Sequence, residues 1–241
     1  MWIVANALPE RVLNSVQTAF YDMTAERGFI VKNLLVEGRH YTEADVLRGL
    51  VNVERGDAIF SFSPKDVQDS IERLSWVKSA RVERRLPDTI YVGLIERKPL
   101  ALWQNKGKLR LIDDEGVTLT DQDLEAYGKL MIVVGEEAPA HAKELLDMLA
   151  VEPLILAQVE AATWVSERRW DLKLVSGIIV KLPESDMGLA LRSLAAAQEE
   201  ERLLDKDLTV IDLREPDRMS VRARPGAATE VKAGKKDGNN I

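Results

Sequence analysis

The sequence predicts an α+β protein built from two domains, on three observations. The chain has 241 residues, of which 46% are hydrophobic and 30% charged, and this composition fits a globular protein of one or two domains. Apolar residues at helical spacing alternate with short strand-like runs over the first hundred positions. The later strand-like runs are separated by turn dipeptides, as in a mainly antiparallel sheet that carries helices.

The first elements follow from local signals. Apolar residues at three- and four-residue spacing predict a helix from Pro9 to about Arg27. Residues 29–36 have the composition of a strand. Thr42 is expected to cap a second helix, and Ser63 followed by Pro64 has the preferred order for the start of a third.

A hairpin completes the first domain. Residues 77–85 and 89–96 alternate apolar and charged residues across the turn at residues 86–88. The order β-α-α-β-β gives a compact module of about 70 residues, near the lower size at which one core suffices. Trp76 follows an apolar helix stripe and is expected in this core, where its loss would cost about 3–5 kcal/mol.

The second domain is predicted from shorter runs. The expected elements are strands within 100–119, 129–134 and 159–182, a helix at 138–149, a long helix capped by Ser185 and reaching about Leu204, and strands at 207–213 and 218–222. Asp113 to Gly116 reads as a solvated hairpin turn, because its oxygen ligands stop too soon for a calcium loop. Residues 224–241 contain almost nothing apolar and are expected to be disordered.

Composition excludes several functions. The chain has no Cys and two His, so thiol chemistry and thiolate metal sites are impossible, and no cofactor or metal is predicted. Its net charge of −7 argues against nucleic-acid binding. No phosphate-binding or nucleophile-elbow motif occurs, and no apolar run is long enough to span a membrane. The absence of Cys favours the cell envelope.

Three arginines on predicted strands stand out in this acidic chain. Arg168, Arg169 and Arg214 either lie on a solvated sheet face or form a patch that binds an acidic peptide. Residue spacing alone favours the first interpretation and leaves the second open.

An ordered set of motifs resembles the ectodomain of the bacterial FtsQ/DivIB cell division family, especially its alphaproteobacterial branch. The motifs are VEG (36–38), WVKSA (76–80), RRLPDTI (84–90), ERKP (96–99), LIDDEG (111–116), WDL (170–172) and IDLR (211–214). The resemblance covers about residues 29–222.

The resemblance implies a domain order and a location. It implies a juxtamembrane helix at 1–28, a POTRA domain at 29–98, a β domain at 99–223 and a disordered tail at 224–241. Family members carry one inner-membrane span, which this chain lacks, and expose the domains to the periplasm at the septum. Either the sequence has been shortened, or residues 1–8 are the end of the span.

The resemblance also implies a non-catalytic scaffold of the divisome. Such proteins bind the FtsB–FtsL pair by adding a partner strand beside their last strand, link early to late division proteins, and contact other divisome components through the POTRA domain. The implied partner-binding residues, together with the arginines above, are Arg168, Arg169, Leu213, Arg214, Glu215, Arg218, Met219, Ser220, Val221 and Arg222.

Two other functions stay open. A POTRA-containing secretion or outer-membrane assembly factor also binds polypeptide strands, but such factors usually carry a transmembrane barrel, for which about 140 residues are too few. An envelope hydrolase would need a pocket with convergent titratable groups.

Overall fold

The structure is a computed structural model that describes residues 10–225, and the chain divides into two compact units between Lys98 and Pro99. Each unit has its own sheet and its own buried core, as the α+β prediction requires. The predicted tail lies outside the described residues except for Arg224 and Pro225, and so do residues 1–9 of the predicted juxtamembrane helix.

The first unit contains helices and strands in the predicted order. Its described elements are α1 (Glu10–Glu26), β1 (Asn33–Glu37), α2 (Ala44–Val51), α3 (Pro64–Ile71), β2 (Val77–Arg85) and β3 (Thr89–Glu96). The strands are ordered β1-β3-β2, with β1 parallel and β2 antiparallel to β3. The helices α2 and α3 contribute Leu47 and Ile71 to a core that also contains Ile90 and Val92.

Two local predictions for this unit are confirmed. The hairpin β2–β3 has the predicted bounds. Ser63 caps α3, because its Oγ accepts a hydrogen bond from the Asp66 N–H at 3.3 Å. Both signals are contained within a few consecutive residues, which is why the sequence alone reveals them.

Two other local predictions for the first unit are wrong. Strand β1 begins at Asn33 rather than residue 29, since the Val31 N–H donates to the Asp57 carbonyl at 2.8 Å and so pairs with a loop. Thr42 does not cap α2: Glu43 precedes that helix without a side-chain cap bond. The Thr42 N–H donates instead to the Glu96 carboxylate at 2.8 Å.

Trp76 is outside the core, contrary to the prediction. It is half-buried, and its ring stacks on that of Tyr41, which is 47% exposed, with the ring centroids 4.5 Å apart. The α3 stripe ends in Ile71, which is fully buried, and the chain turns before Trp76.

Removing the Trp76 ring should therefore have a small effect. Trp76→Ala is expected to lower the free energy of unfolding of the first unit by about 1–2 kcal/mol, the value of an aromatic pair with partial burial. Ile71→Ala, at a fully buried position, should cost about 2–5 kcal/mol. Denaturant titration of both variants, followed by resolved amide resonances, measures the difference. Equal losses of free energy of unfolding in the two variants would show that Trp76 belongs to the core.

The second unit is built on one large sheet. Its described elements are β4 (Pro99–Asn105), β5 (Lys108–Asp113), β6 (Thr118–Thr120), a 3-10 turn (Leu124–Tyr127), β7 (Ile132–Val134), α4 (Ala138–Val151), α5 (Pro153–Leu156), β8 (Val159–Val165), β9 (Arg169–Leu174), β10 (Ile179–Lys181), α6 (Met187–Glu201), a 3-10 turn (Leu203–Asp205), β11 (Leu208–Glu215) and β12 (Arg218–Ala223).

The sheet has the strand order β12-β11-β10-β9-β8-β7-β4-β5-β6. Most neighbours are antiparallel, but β4–β7, β7–β8 and β10–β11 are parallel. Helices connect β7 to β8 and β10 to β11, and a helical crossover returns the chain in the same direction. Residues of α4 and α6, such as Leu145 and Leu194, pack with Trp170 and Leu172 in the core.

The predicted start of the long helix is wrong. Helix α6 begins at Met187 after Asp186, which has a left-handed φ of 57° and makes no side-chain cap bond. Ser185 therefore lies one residue before the cap position. The helix ends at Glu201, and the predicted end near Leu204 falls in the following 3-10 turn.

Candidate partner-binding edge

Strand β12 forms one edge of the large sheet. It pairs with β11 along one side, and in residues 10–225 no strand pairs with its other side. The opposite edge, β6, is three residues long, whereas β12 has six. Because a longer unpaired edge offers more main-chain groups to a further strand, β12 is the better site for strand addition.

The hydrogen bonds show which main-chain groups of β12 are free. The Arg224 N–H donates to the Asp207 carbonyl at 3.0 Å, and the Arg222 carbonyl accepts from the Thr209 hydroxyl at 3.1 Å. Even-numbered residues therefore direct their main chain towards β11. By alternation, Met219 and Val221 direct theirs outward.

The side chains of β12 form two rows. Met219, Val221 and Ala223 are half-buried and pack against the core. Arg218 and Arg222 are exposed on the other face, and Arg222 makes no ion pair with a described residue. A strand added at this edge would meet an apolar row on one face and a basic row on the other.

Arg214 is already paired within its own strand. Its Nε lies 2.8 Å from Oδ1 of Asp212, and its Nη2 lies 2.6 Å from Oδ2. These hydrogen bonds hold the pKa of Asp212 below its ordinary value, although burial opposes the shift. The same bonds raise the pKa of Arg214, whose side chain is 47% exposed. Arg214 therefore presents a fixed guanidinium rather than an isolated charge.

A row of alternating charges leads from the interior of the sheet to this edge. Asp171 on β9 is in register with Lys181 on β10, which is in register with Asp212 on β11 and then Ser220 on β12. Opposite charges on neighbouring strands favour this register. The row cannot be predicted from the sequence, because the alternation of residues within one strand does not show which strands pair or in which register.

The other predicted arginines lie away from the edge. Arg169 pairs with Asp171 at 3.4 Å and is on β9, three strands or about 14 Å from β12. Arg168, in the turn before β9, pairs with Glu184 at 3.0 Å. Leu213 is buried in the core, where it anchors β11. The structure thus groups Arg214 and Glu215 with residues 218–222.

The charges disfavour pairing between two copies of β12. Two antiparallel registers let the outward main-chain groups of both copies bond each other with most of the strand paired, and they are centred on Ser220 and on Val221. The first places Arg218 opposite Arg222, and the second places Arg218 opposite Arg224. Like charges directly opposite are destabilising, so this edge favours a different, acidic strand.

Two further properties of the described residues bear on function. None of their helices is long and apolar enough to cross a membrane. Within residues 10–225, no cluster of three His, Asp or Glu side chains has the arrangement of a metal site.

Sequence comparison assigns both units. The family described as "POTRA domain, FtsQ-type" matches residues 29–97, and "Cell division protein FtsQ/DivIB, C-terminal" matches residues 101–214, which together are well over half of the chain. The chain belongs to the FtsQ/DivIB cell division family. It therefore has the POTRA domain and the β domain that the motifs imply.

Individual relatives support the same family assignment. FtsQ of Rickettsia bellii is 33% identical over 200 residues, which are 83% of this chain and 74% of that protein. FtsQ of Caulobacter vibrioides is 35% identical over 216 residues, covering 89% of this chain and 71% of that protein. Both are alphaproteobacterial, as the motifs indicated.

A more distant likeness is the solved extracytoplasmic domain of the cell division protein DivIB from Geobacillus stearothermophilus. It is 17% identical, with a TM-score of 0.32 over 45% of this chain and 97% of that one. The C-terminal family match separates this FtsQ/DivIB chain from the secretion factors considered as an alternative.

Proposed function

We propose that this FtsQ/DivIB protein is a non-catalytic scaffold of the divisome that binds an FtsB–FtsL-like pair by strand addition at β12. The free edge of β12, with outward main-chain groups between an apolar and a basic row, carries the proposal. An added strand gains affinity from main-chain hydrogen bonds and specificity from alternate side chains. The expected partner strand is apolar on one face and acidic on the other.

Most of the predicted site residues have a role in this proposal. Met219 and Val221 bond the partner main chain, while Arg218, Arg222 and Arg214 face its carboxylates. Charge-assisted guanidinium bonds are stronger than neutral ones. Of the other predicted residues, Glu215 pairs with Arg218 at 3.3 Å, Ser220 spaces the two arginines and Leu213 anchors β11. Arg168 and Arg169 lie three strands away and do not contact the partner.

The proposal extends to domain limits and location. Helix α1 is the juxtamembrane helix, residues 29–98 are the POTRA domain and residues 99–223 are the β domain. The domains face the periplasm at the division septum, next to the inner membrane. The scaffold links early to late division proteins and contacts further divisome components through the POTRA domain.

Proline substitutions test the edge. Met219→Pro removes an outward N–H, so we expect it to weaken binding of an FtsB-like segment roughly tenfold to a hundredfold while β12 keeps its pairing with β11. Ser220→Pro removes an N–H that faces β11, and should loosen the β11–β12 pair itself. Titration calorimetry measures the affinity, and amide exchange of β11 reports the fold. If the Met219→Pro variant is folded and binds with normal affinity, the partner strand does not bind at this edge.

Charge reversal tests the acidic partner. Arg214→Glu would leave Asp212, Glu215 and a new carboxylate beside the edge, so we expect partner affinity to fall by about 1–2 kcal/mol and its salt dependence to flatten. Arg168→Glu is the matched control, three strands away, and should change affinity little. Calorimetry at low and high salt compares the two. Equal changes in affinity would mean that Arg214 is only a solvent-exposed residue of the sheet face and does not contact the partner.

A further inference from the structure

We propose that two copies of this chain associate through the free edge of β2 in the POTRA domain, with the two strands antiparallel and centred on Val82. Strand β2 is an edge of the three-stranded sheet, and within residues 10–225 no strand pairs with its other side. It has nine residues, whereas β12 has six. The association joins the two three-stranded sheets into one continuous sheet.

Hydrogen bonds on both sides of the sheet identify the outward main-chain groups of β2. The Ala80 N–H donates to Oε1 of Glu72 at 3.0 Å, so it points away from β3. The Asp88 carbonyl, just before β3, accepts hydrogen bonds at 2.8 and 3.2 Å from the chain at the start of β1. Even-numbered residues of β3 therefore face β1, and odd-numbered ones face odd-numbered residues of β2. The main chain of Val82 and Arg84 consequently points outward, like that of Ala80.

Charge selects the register of the two strands. A bulge near Val77 leaves residues 79–85 as the regular part of β2, and Val82 is its middle residue. In the register centred on Val82, Arg81 of each copy lies opposite Glu83 of the other. Shifting the centre by one residue places Arg81 opposite Arg81 or Glu83 opposite Glu83, which is destabilising, and larger shifts leave fewer residues paired.

The charged side chains already lie together on the open face of the sheet. Nε of Arg81 is 2.7 Å from Oε1 of Glu83, and Nε of Arg85 is 3.7 Å from Oε2 of the same carboxylate. The side chains of Arg81 and Arg85 are 75% and 47% exposed, so a second copy can reach them. Arg81 and Glu83 form a non-hydrogen-bonded pair across the interface, in which opposite side chains come closest. Strand β12 offers no such match, because its two exposed charges, Arg218 and Arg222, have the same sign.

Glu72 limits the association. Its carboxylate holds the Ala80 N–H, which in the paired strands would donate to the Arg84 carbonyl of the second copy. The outward groups of Val82 have no hydrogen-bond partner among the described residues, so the centre of the edge is open while its flank is covered. Closing the full pair requires Glu72 to release Ala80, which makes the association weaker than that of an uncovered edge.

Sedimentation of the full-length chain over a series of concentrations, without any partner, tests the association. We expect a reversible monomer–dimer equilibrium, which Arg81→Glu weakens roughly tenfold because both cross-strand pairs become like-charged. Combining Arg81→Glu with Glu83→Arg exchanges the charges and should restore the equilibrium. Arg48→Glu, at an exposed position of α2, changes the net charge equally and should have no effect. Glu72→Ala should strengthen the dimer roughly fivefold, because it uncovers the Ala80 N–H.

Cysteine cross-linking tests the register, since the chain has no Cys of its own. In a mixture of Arg81→Cys and Glu83→Cys chains, the two sulfurs lie on opposite residues, whose Cα separation of about 4.5 Å suits a disulfide. We expect the mixture to form covalent dimers roughly tenfold faster than either variant alone. Faster cross-linking by Arg81→Cys alone would overturn the register centred on Val82.

Two other results would overturn the association itself. One is a chain that stays monomeric at roughly millimolar concentration. The other is equal weakening by Arg81→Glu and Arg48→Glu, with POTRA amide resonances showing that both variants are folded. Neither measurement includes an FtsB-like segment or a group of β12, so a negative result leaves the proposed function standing.

Discussion

Replacing Gly38 by alanine is expected to destabilise the POTRA domain by about 3–5 kcal/mol, a large share of the stability of a domain of this size. Gly38 follows β1 with φ of +78°, which L side chains rarely adopt. A Cβ at this position would also overlap the carbonyl oxygen of Leu94 and lie 3.1 Å from its carbonyl carbon. Leu94 is a buried residue of the central strand β3 and is paired with Ala80, so its backbone cannot retreat without disturbing the sheet.

Two glycines separate backbone strain from steric overlap. Gly56 has φ of +105° but open space around its Cβ position, so Gly56→Ala should cost about 1–2 kcal/mol. Gly49 lies within α2, also in open space, and Gly49→Ala should stabilise the domain by about 0.5–1 kcal/mol. Denaturant titration followed by POTRA amide resonances gives the three values. If Gly38→Ala lowers the free energy of unfolding no more than Gly56→Ala does, the backbone of Leu94 moves aside to make room for the Cβ.

The sequence could predict features whose cause is local. The hairpin limits follow from alternation on both sides of a turn, and the Ser63 cap follows from one residue and the proline after it. The last strand was also predicted, because its alternation of Arg and apolar residues reflects one packed face. The role of this strand as a binding edge came from the family resemblance and stays a proposal.

Features that depend on residues far apart in the chain could not be predicted from the sequence. Thr42 resembles a cap, but the carboxylate of Glu96, 54 positions away, binds its N–H. Arg214 suggested a positive patch, but Asp212 holds its guanidinium. Lys181 completes the row of charges only through the register of three strands.

One turn of the β domain was only half understood from its residues. The turn at Asp113 to Gly116 was predicted to be solvated, yet Asp113 is fully buried. Its Oδ1 accepts hydrogen bonds from the N–H groups of Glu115 at 3.0 Å and Val117 at 2.7 Å. These hydrogen bonds close the turn and compensate for the burial of the carboxylate.

Glu96, the first residue of the ERKP motif, has a structural role in the POTRA domain. Its side chain is 4% exposed and accepts hydrogen bonds from the backbone N–H groups of His40 at 2.7 Å, Tyr41 at 2.8 Å and Thr42 at 2.8 Å. It thereby fixes the loop between β1 and α2 to the end of β3. Burial acts to raise the pKa of Glu96, but the hydrogen bonds from Thr42, Tyr41 and His40 outweigh it and lower the pKa below its ordinary value.

Removing this carboxylate should therefore destabilise the POTRA domain and change its pH dependence. We expect Glu96→Ala to cost about 2–4 kcal/mol, since three N–H groups lose a charged acceptor, and Glu96→Gln to cost about 1–2 kcal/mol. Because the folded pKa is lowered, the contribution is fully present above the unfolded pKa and is lost as pH falls through the folded one, from about pH 5 downward. In Glu96→Gln, the free energy of unfolding should therefore fall less steeply as the pH is lowered through this range.

Glu43→Gln is the matched control for Glu96, because Glu43 belongs to the same loop but is exposed and makes no side-chain cap bond. It should change POTRA stability by less than about 0.5 kcal/mol. Denaturant titrations of the unsubstituted chain and of the three variants at several values between about pH 3 and pH 7, read from POTRA amide resonances, measure the loss of stability and its pH dependence. An acid slope in Glu96→Gln as steep as that of the unsubstituted chain would show that another group titrates there. The pinned loop would then owe its position to packing, such as the stack of Tyr41 on Trp76, and not to the carboxylate.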